Sequence, residues 1–326
     1  MKHQHKPRIT LKIAFIMDPM EKLSLEWDNS MAIMLEAQRR GHQILYIEPG
    51  DLFVRNDRVF ADVRQVHVSR TSGFRILKRA NVDLKKACDI VFNRKEPPFD
   101  VSYFYLTYIL ELLEPEVFVI NSPSGIRKAN EKFYILQFPN WIPPTLVSNK
   151  PERIKFFQKQ LKSDLILKPL DDKGGAGIVL LPKNSRRSKQ ILKEATRNGA
   201  KWIMAQKFLK QNLIEGDKRI LLLNGKVIAY YRKIPKPGEF RANLSLGGKN
   251  VHTSLTQREH QLVQALRAKL SADGLYFVGI DVIDGLLLEI NVTSPAGLTE
   301  FSELEGTHPE IQVVDFLEAT ARTRAR

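Results

Sequence analysis

The stretch that most restricts the fold is VGIDVIDGLLLEINVTSP, residues 278–295. Val278, Ile280 and Val282 form one period-two set, and Leu288, Ile290 and Val292 form another. Such alternation makes half-buried strands, and the Asp284-Gly285 pair between the runs signals a hairpin. If the apolar sets face the core, Asp281, Glu289, Asn291 and Thr293 face the other way. Register decides whether the acids meet. A two-residue turn would set Asp281 opposite Leu288 and split the apolar faces. A three-residue loop, Asp284-Gly285-Leu286, sets Asp281 opposite Glu289 with Cβ atoms about 4.5–5.5 Å apart, and this register is expected. Two carboxylates that close need a cation or a shared proton. With the Asn291 amide oxygen they form an all-oxygen set for a hard cation such as Mg²⁺, which leaves its other positions to phosphates and water. An ordinary surface hairpin shows the same polar-out pattern, so the cation reading needs phosphate-binding groups elsewhere.

Such groups are present. Lys168 ends the apolar run DLILKPL, and a lysine is rarely buried without a partner. Residues 172–177, DKGGAG, follow; glycines let backbone N–H groups turn inward around phosphate oxygens. The chain has no GxxxxGK[ST] loop, and no GxGxxG after a strand, which removes a nicotinamide-dependent enzyme from consideration. GDKR, 216–219, puts Asp217 and Arg219 at the mouth of a strand. RKIPKPGEFRANLSLGGK, 232–249, is long, cationic and punctuated by glycine and proline. As a lid it would carry Lys233 and Arg241 over an anionic reaction centre.

Between residues 10 and 126, strand-like runs (LKIAFIMDP, HQILYIEPGDL, CDIVFNRKEPPFD, VFVINSP) alternate with helical ones (NSMAIMLEAQRRG, SYFYLTYILELLE). This predicts an α/β N-terminal domain with a mostly parallel sheet. From 127 to 320 the pattern changes to an α+β domain. NEKFYILQF reads as a helix, KRILLLNGKVIAYYRKI as a hairpin on Asn-Gly, and TQREHQLVQALRAKLSADG as a long helix. The single cysteine, Cys88, permits no intrachain disulfide and reads as a buried hydrophobe. No run approaches the ~18 apolar residues of a membrane span, and MKHQHKPRIT lacks a signal core; a cytoplasmic protein without membrane contact is expected. The net charge of +15 suits anionic small molecules or nucleic acid. The basic clusters RILKRANVDLKK and KNSRRSKQILK match no nucleic-acid module, which leaves that reading as the alternative from another class.

MDP (17–19), MLEAQRRGH (34–42), RKEPPFD (94–100), NEK (130–132), LKPLDDKGGAG (167–177), MAQ (204–206), GDKR, FVGIDVI and EINVTSP follow one another along nearly the whole chain. In these pieces the chain resembles the bacterial-type glutathione synthetases of the ATP-grasp superfamily. The resemblance implies an N-terminal α/β domain followed by an ATP-grasp domain that sandwiches ATP between two α+β halves. It implies a homo-oligomer that joins γ-glutamylcysteine and glycine through an acyl phosphate, with Mg²⁺ or Mn²⁺. By position it implies Asp281, Glu289 and Asn291 as metal ligands, and Lys132, Lys168, Gly174, Gly175, Gln206, Phe208, Leu209 and Asp217 around ATP. Arg219, Lys233, Arg241 and Gly175 would form the catalytic set, and Asp18, Ser30 and Arg94 would face the peptide. The chain departs from the expected pattern at Lys233 and Thr299, where arginines are expected, and at Asp172 and Lys173. The segment AGLTEF helps shape the acceptor end, so a ligase for another acid or amine is the nearest alternative.

Overall fold

The computed structural model describes residues 9–171, 177–210, 212–242 and 247–324, with the backbone alone for 212 and 213. The N-terminal half contains β1 (Lys12–Ile16), α1 (Asn29–Arg39), β2 (Gln43–Ile47), β3 (Leu52–Arg55), β4 (Arg58–Ser69), β5 (Gly73–Asp83), α2 (Leu84–Ala87), β6 (Ile90–Asn93), α3 (Val101–Glu111), β7 (Phe118–Ile120) and α4 (Pro123–Lys128). Ile13, Ala14, Phe15 and Ile16 of β1 are all buried, the mark of a strand covered on both faces. It pairs in parallel with β2 and β6, and β6 pairs in parallel with β7. The sheet runs β3-β4-β2-β1-β6-β7 with β5 on β4. Its β3, β4 and β5 are antiparallel additions beyond the parallel strands that sequence periodicity marks. The Asp28 carboxylate caps α1, accepting from the N–H groups of Ser30 (2.6 Å) and Met31 (3.0 Å). Helix α1 then buries Met31 and Met34. Cys88 is buried, as expected, and burial pushes its thiol up to about 12.

The second half contains β8 (Thr145–Ser148), α5 (Pro151–Leu161), β9 (Leu165–Pro169), β10 (Val179–Leu181), α6 (Ser188–Ala195), β11 (Ile203–Lys207), α7 (Asn212–Glu215), β12 (Asp217–Leu223), β13 (Lys226–Ile234), β14 (Lys249–Val251), α8 (Gln257–Ala272), β15 (Phe277–Ile283), β16 (Leu286–Asn291), α9 (Leu298–Glu305) and α10 (Glu310–Arg324). Residues 130–138 do not make the expected α-helix; only Phe133–Gln137 turn, as a short 3-10 segment. A four-stranded sheet, β10-β9-β11-β8, and a five-stranded sheet, β14-β13-β12-β15-β16, are both antiparallel. Ile154, Leu192 and the inner faces of β9 and β11 form one core; Leu262, Leu266 and Leu270 of α8 join the larger sheet in another. The Asn224-Gly225 turn takes positive φ at both residues, 48° and 70°, as a type I′ hairpin requires.

The hairpin 278–295 reaches the expected pairing by another route. Asp281 does lie opposite Glu289, but Ile283 pairs with Leu286 across a two-residue Asp284-Gly285 turn. Both turn residues have positive φ, 51° and 68°. The register is restored by a bulge in which Leu288 is the extra residue. Leu287, not Leu288, therefore joins Ile290 and Val292 in the core, and Leu288 turns to the cleft.

Three ties join the halves. The Asn121 side chain donates to the carbonyls of Phe277 (2.7 Å) and Val292 (2.8 Å) and accepts from the Phe277 N–H. Asn29 and Arg94 both donate to the Pro295 carbonyl. Helix α10 returns to α1, where Arg40 pairs with Asp315 at 2.6 Å.

Candidate active site

The two antiparallel sheets face each other across a cleft. Its floor is a ladder of charges on neighbouring strands of the larger sheet. Asp217 (β12) lies opposite Lys233 (β13), Arg219 opposite Asp281 (β15), and Asp281 opposite Glu289 (β16). Alternation puts all five on one face. Arg219 grips Asp281 with a two-pronged contact, Nε to Oδ1 at 2.9 Å and Nη2 to Oδ2 at 3.0 Å. Lys233 Nζ lies 2.5 Å from Asp217 and 2.9 Å from Asp281. Lys233 thus belongs to strand β13 and to the floor, not to the lid where the sequence put it. Strand alternation runs through Tyr231 and Lys233 before the loop begins, which is why it points down into the ladder.

Burial disfavours the charged form of Asp281, but Arg219 and Lys233 more than offset it and hold its carboxyl below the usual range. At Asp217 burial prevails over Lys233 and raises the pKa. Lys233 is raised, its burial outweighed by Asp217 and Asp281. The Asn291 amide donates to Asp281 Oδ2 at 3.3 Å and to the Gly279 carbonyl at 3.4 Å. Its oxygen is left for another partner beside Glu289, whose nearest cation is Lys132 at 3.8 Å.

The opposite sheet supplies the roof. Lys168 of β9 is 8% exposed. Its Nζ donates to Gln206 Oε1 at 2.7 Å and reaches the Leu288 carbonyl at 3.5 Å. Burial pushes Lys168 down to about 8, opposed by the charge of Glu289. Gln206 is fixed by its donation to the Thr145 hydroxyl (3.1 Å). One end of the cleft is apolar, with Ile166, Phe208, Leu209, Ile283 and Leu288. Arg241 stands at the rim, its guanidinium held by Glu239 at 2.7 Å; Phe240 meets Phe208 edge-on at 6.3 Å.

Gly174 and Gly175 lie outside the described residues, as do 243–246 of the lid segment. Asp18, Ser30 and Arg94 do not line this cleft. Asp18 accepts from the Glu96 N–H at 3.0 Å and pairs with Lys95. Arg94 donates from Nε to the Ser30 hydroxyl (3.0 Å) and from Nη2 to Pro295. Its Nη1 is buried and has no hydrogen-bond partner among the described residues. Thr299 ties α9 to α1, donating to the Trp27 carbonyl at 2.7 Å.

Two site residues escaped the sequence reading. Glu131, inside the NEK triplet, accepts from the Val292 N–H (3.2 Å) and the Thr293 hydroxyl (2.9 Å), which fixes the end of β16; burial, and then the charge of Glu289, raise its pKa. Tyr231 lies opposite Arg219 and is buried. A Cβ at Gly297, whose φ is +133°, would stand 2.9 Å from the Tyr231 ring. Only glycine fits there. The signal for Tyr231 was available: it is two residues from Lys233 on the same strand.

The donor set suits a hard divalent cation. Asp281, Glu289 and Asn291 offer oxygen only, from one face of one hairpin. Among the described residues no three His, Cys, Asp or Glu side chains gather as a metal group, so the remaining ligands would come from phosphate and water, as is usual for Mg²⁺.

Comparisons with known proteins identify the family. Residues 11–127 match the profile of the prokaryotic glutathione synthetase N-terminal domain, and residues 131–306 that of its ATP-grasp domain. Glutathione synthetase from Synechocystis is 43% identical over 94% of this chain and 99% of its own length. The one from Nitrosomonas europaea is 40% identical over 97% and 100%. Among solved structures, D-cycloserine synthetase DcsG superposes with a TM-score of 0.67 at 15% identity over 96% and 99%. The ATP-grasp ligase PsnB, complexed with a minimal precursor, gives 0.65 at 16% over 98% and 100%. At such identities these two speak for the fold alone.

Proposed function

The chain belongs to the prokaryotic glutathione synthetase family, and from that premise we propose how its own side chains do the family's chemistry. It is an ATP-dependent, ADP-forming ligase that makes glutathione. The observation that carries the residue-level reading is the charge ladder Lys233–Asp217–Arg219–Asp281–Glu289 beneath the buried Lys168.

The adenine lies in the apolar end, against Phe208 and Leu209, with Gln206 orienting it. Lys168, Lys132 and the Gly174-Gly175 loop receive the phosphates. Asp281, Glu289 and Asn291 would hold Mg²⁺, or Mn²⁺, which would supply positive charge against the phosphates. Phosphoryl transfer depends on positioning and charge neutralisation. Arg219 supplies a rigid fork of donors, and Asp217 keeps Lys233 protonated within reach. The γ-phosphoryl moves to the cysteinyl carboxylate of γ-glutamylcysteine and releases ADP. The glycine nitrogen then attacks the acyl carbon, losing a proton, and phosphate leaves. The acyl phosphate must be kept from water; Arg241 and Phe240 close over it. Asp18, Ser30 and Arg94 act on the peptide side, Arg94 by holding the Pro295 turn. A cytoplasmic location belongs to the same proposal; among the described residues no helix is long and apolar enough to cross a membrane.

Nucleotide affinity should fall as pH rises through about 8. Burial has lowered the pKa of Lys168 to that value, and a bound phosphate raises it again. Binding then takes up a proton above pH 8 and weakens by at most about tenfold per pH unit. Calorimetric titration between pH 7 and 9 measures this. Lys168→Met should bind more weakly and lose the pH slope; a flat profile in the unaltered chain would remove Lys168 from the phosphates.

Arg241→Ala should lower kcat by about 10²-fold and leave ATP affinity within a few-fold, because in the open cleft Arg241 is satisfied by Glu239. Loss of ATP affinity with unchanged kcat in steady-state kinetics would contradict the lid role.

The reading as a whole is tested by ADP release with ATP, Mg²⁺, γ-glutamylcysteine and glycine, omitting each in turn. Turnover that needs all four and yields the tripeptide supports it. ATP binding without that turnover would direct attention to another acid or amine at the Ala296–Thr299 end.

A further inference from the structure

Two polar groups meet at the acceptor end, and neither has the partner its chemistry calls for. Tyr231 of β13 lies directly opposite Arg219 and is 4% exposed. Gly297 rests on its ring: a Cβ there would stand 2.9 Å from the ring and 3.2 Å from the hydroxyl. A buried tyrosine hydroxyl usually finds a hydrogen-bond partner. This one has none among the described residues. Burial, and then the charge of Glu300, raise the pKa of the phenol, which keeps its proton.

Glu300 stands in the first turn of α9, which packs on β13 with Phe301 5.4 Å from Tyr230. An acid in a first turn often serves the N–H groups of its own helix. Here those of Leu298 and Thr299 go instead to Asn29 Oδ1, at 3.2 and 3.4 Å. The Thr299 hydroxyl lies 3.0 Å from the Glu300 carboxylate, but its one proton goes to the closer Trp27 carbonyl at 2.7 Å. Among the described residues Glu300 pairs with no cation, whereas Asp217 and Asp281 have Lys233, and Glu289 has Lys132. It is partly exposed, so a ligand can reach it. An ammonium suits such a pair, with three donors, no acceptor and a positive charge. An amine acceptor arrives in that form at neutral pH. Its place is also right, because Arg219 Nη1 donates to the Ala296 carbonyl at 3.1 Å and so ties the turn before α9 to the reaction centre.

We propose that Glu300, with the Tyr231 hydroxyl beside it, receives the ammonium group of the incoming amine. The inference rests on the ligase reading above and assigns the acceptor end of that site. Docking of the ammonium precedes the loss of its proton and the attack on the acyl carbon.

Two acceptors, each supplied with ATP, Mg²⁺ and γ-glutamylcysteine, separate the ammonium from the rest of the reaction. Glycine carries it. Hydroxylamine is uncharged at neutral pH; its nitrogen bonds the acyl carbon, loses one proton as phosphate leaves, and gives a hydroxamate. Glu300→Gln should raise the Michaelis constant for glycine by about 10- to 100-fold, and Tyr231→Phe by about tenfold. The constants for ATP and γ-glutamylcysteine should stay within a few-fold of the unaltered chain, and so should hydroxamate formation, read from its coloured iron complex. A glycine constant unchanged in Glu300→Gln overturns the proposal. So does hydroxamate formation that falls in step with glycine turnover, because the loss then belongs to the acyl phosphate or to the fold. Should Tyr231→Phe misfold, Glu300→Gln decides alone, being isosteric and partly exposed. An unaltered chain that makes both products while the variants are indifferent counts against this proposal only. An unaltered chain that makes neither removes the ligase reading, and this proposal with it.

Discussion

With Asp281→Asn, ADP release with all substrates present should fall by about 10³-fold, and the fold should lose about 3 kcal/mol. Both follow from the same two oxygens. Among the described residues Asp281 is the only acid that meets Arg219 through both oxygens, and it shares Lys233 with Asp217. An asparagine keeps the shape and removes the charge, leaving two buried cations against one remaining carboxylate. Removing one partner of a buried pair usually costs about 3–5 kcal/mol, and the low end applies because Asp217 still faces Lys233. Glu289→Gln separates the two roles. The Glu289 side chain is 22% exposed and its nearest cation stands 3.8 Å away, so its loss should cost the fold less than about 1 kcal/mol. Turnover should still fall by about 10²-fold or more. Urea unfolding and ADP release, measured on both variants, check the pair. Glu289→Gln with ordinary turnover would remove the metal assignment. Asp281→Asn that unfolds more easily yet turns over normally would confine Asp281 to a structural part.

Arg219→Lys should lower kcat by about 10²-fold with ATP affinity within a few-fold. A lysine keeps one positive charge beside Asp281, so the ladder stays balanced. It loses the fork, and with it the hydrogen bond from Nη1 to the Ala296 carbonyl at 3.1 Å. Lysine is a point charge and cannot make both contacts at once. The Ala296 contact also ties the reaction centre to the turn beside Gly297, so the Michaelis constant for glycine should rise with the fall in kcat. Steady-state kinetics with each substrate varied measures this. An equal loss in ATP affinity would place Arg219 on the bound nucleotide and not on the transferring group.

All three variants lie on strands that the sequence made legible. The acids of 278–295 and Lys168 were readable because charge inside apolar alternation is costly and so has to be explained by a partner. The meeting of Asp281 with Glu289 was also readable, but its cause was not. A bulge at Leu288 and a three-residue loop give the same pairing, and only the backbone distinguishes them. Strands β3, β4 and β5 were not readable, since an antiparallel sheet edge alternates charge with apolar residues and lacks the continuous run of β1. Lys233 was misplaced because glycine and proline nearby suggested loop, while its partners Asp217 and Asp281 are 16 and 48 residues away. Glu131 gave no local signal: its partners, Val292 and Thr293, arrive from the far end of the chain. The departures at Lys233 and Thr299 have structural accounts, one in the ladder and the other at the junction of α9 with Trp27.

The ties at Asn121, Asn29 and Arg94 distinguish the two sides of the cleft. All three fasten the five-stranded sheet, through Phe277, Val292 and Pro295, to the N-terminal domain. The four-stranded sheet instead has its own core around Ile154, Leu165 and Leu192 and meets the shared interior mainly through Met204, Val147 and Leu170. The cleft therefore has one wall fastened to the N-terminal domain by hydrogen bonds and one wall that carries its own core. Asp281, Glu289, Asn291 and Arg219 sit together on the fastened wall, beside the Ala296 turn. Lys168 and Gln206 belong to the other. The acids and Arg219 thus share one mount, and a shift of the smaller sheet would change their distance to Lys168 but not to one another.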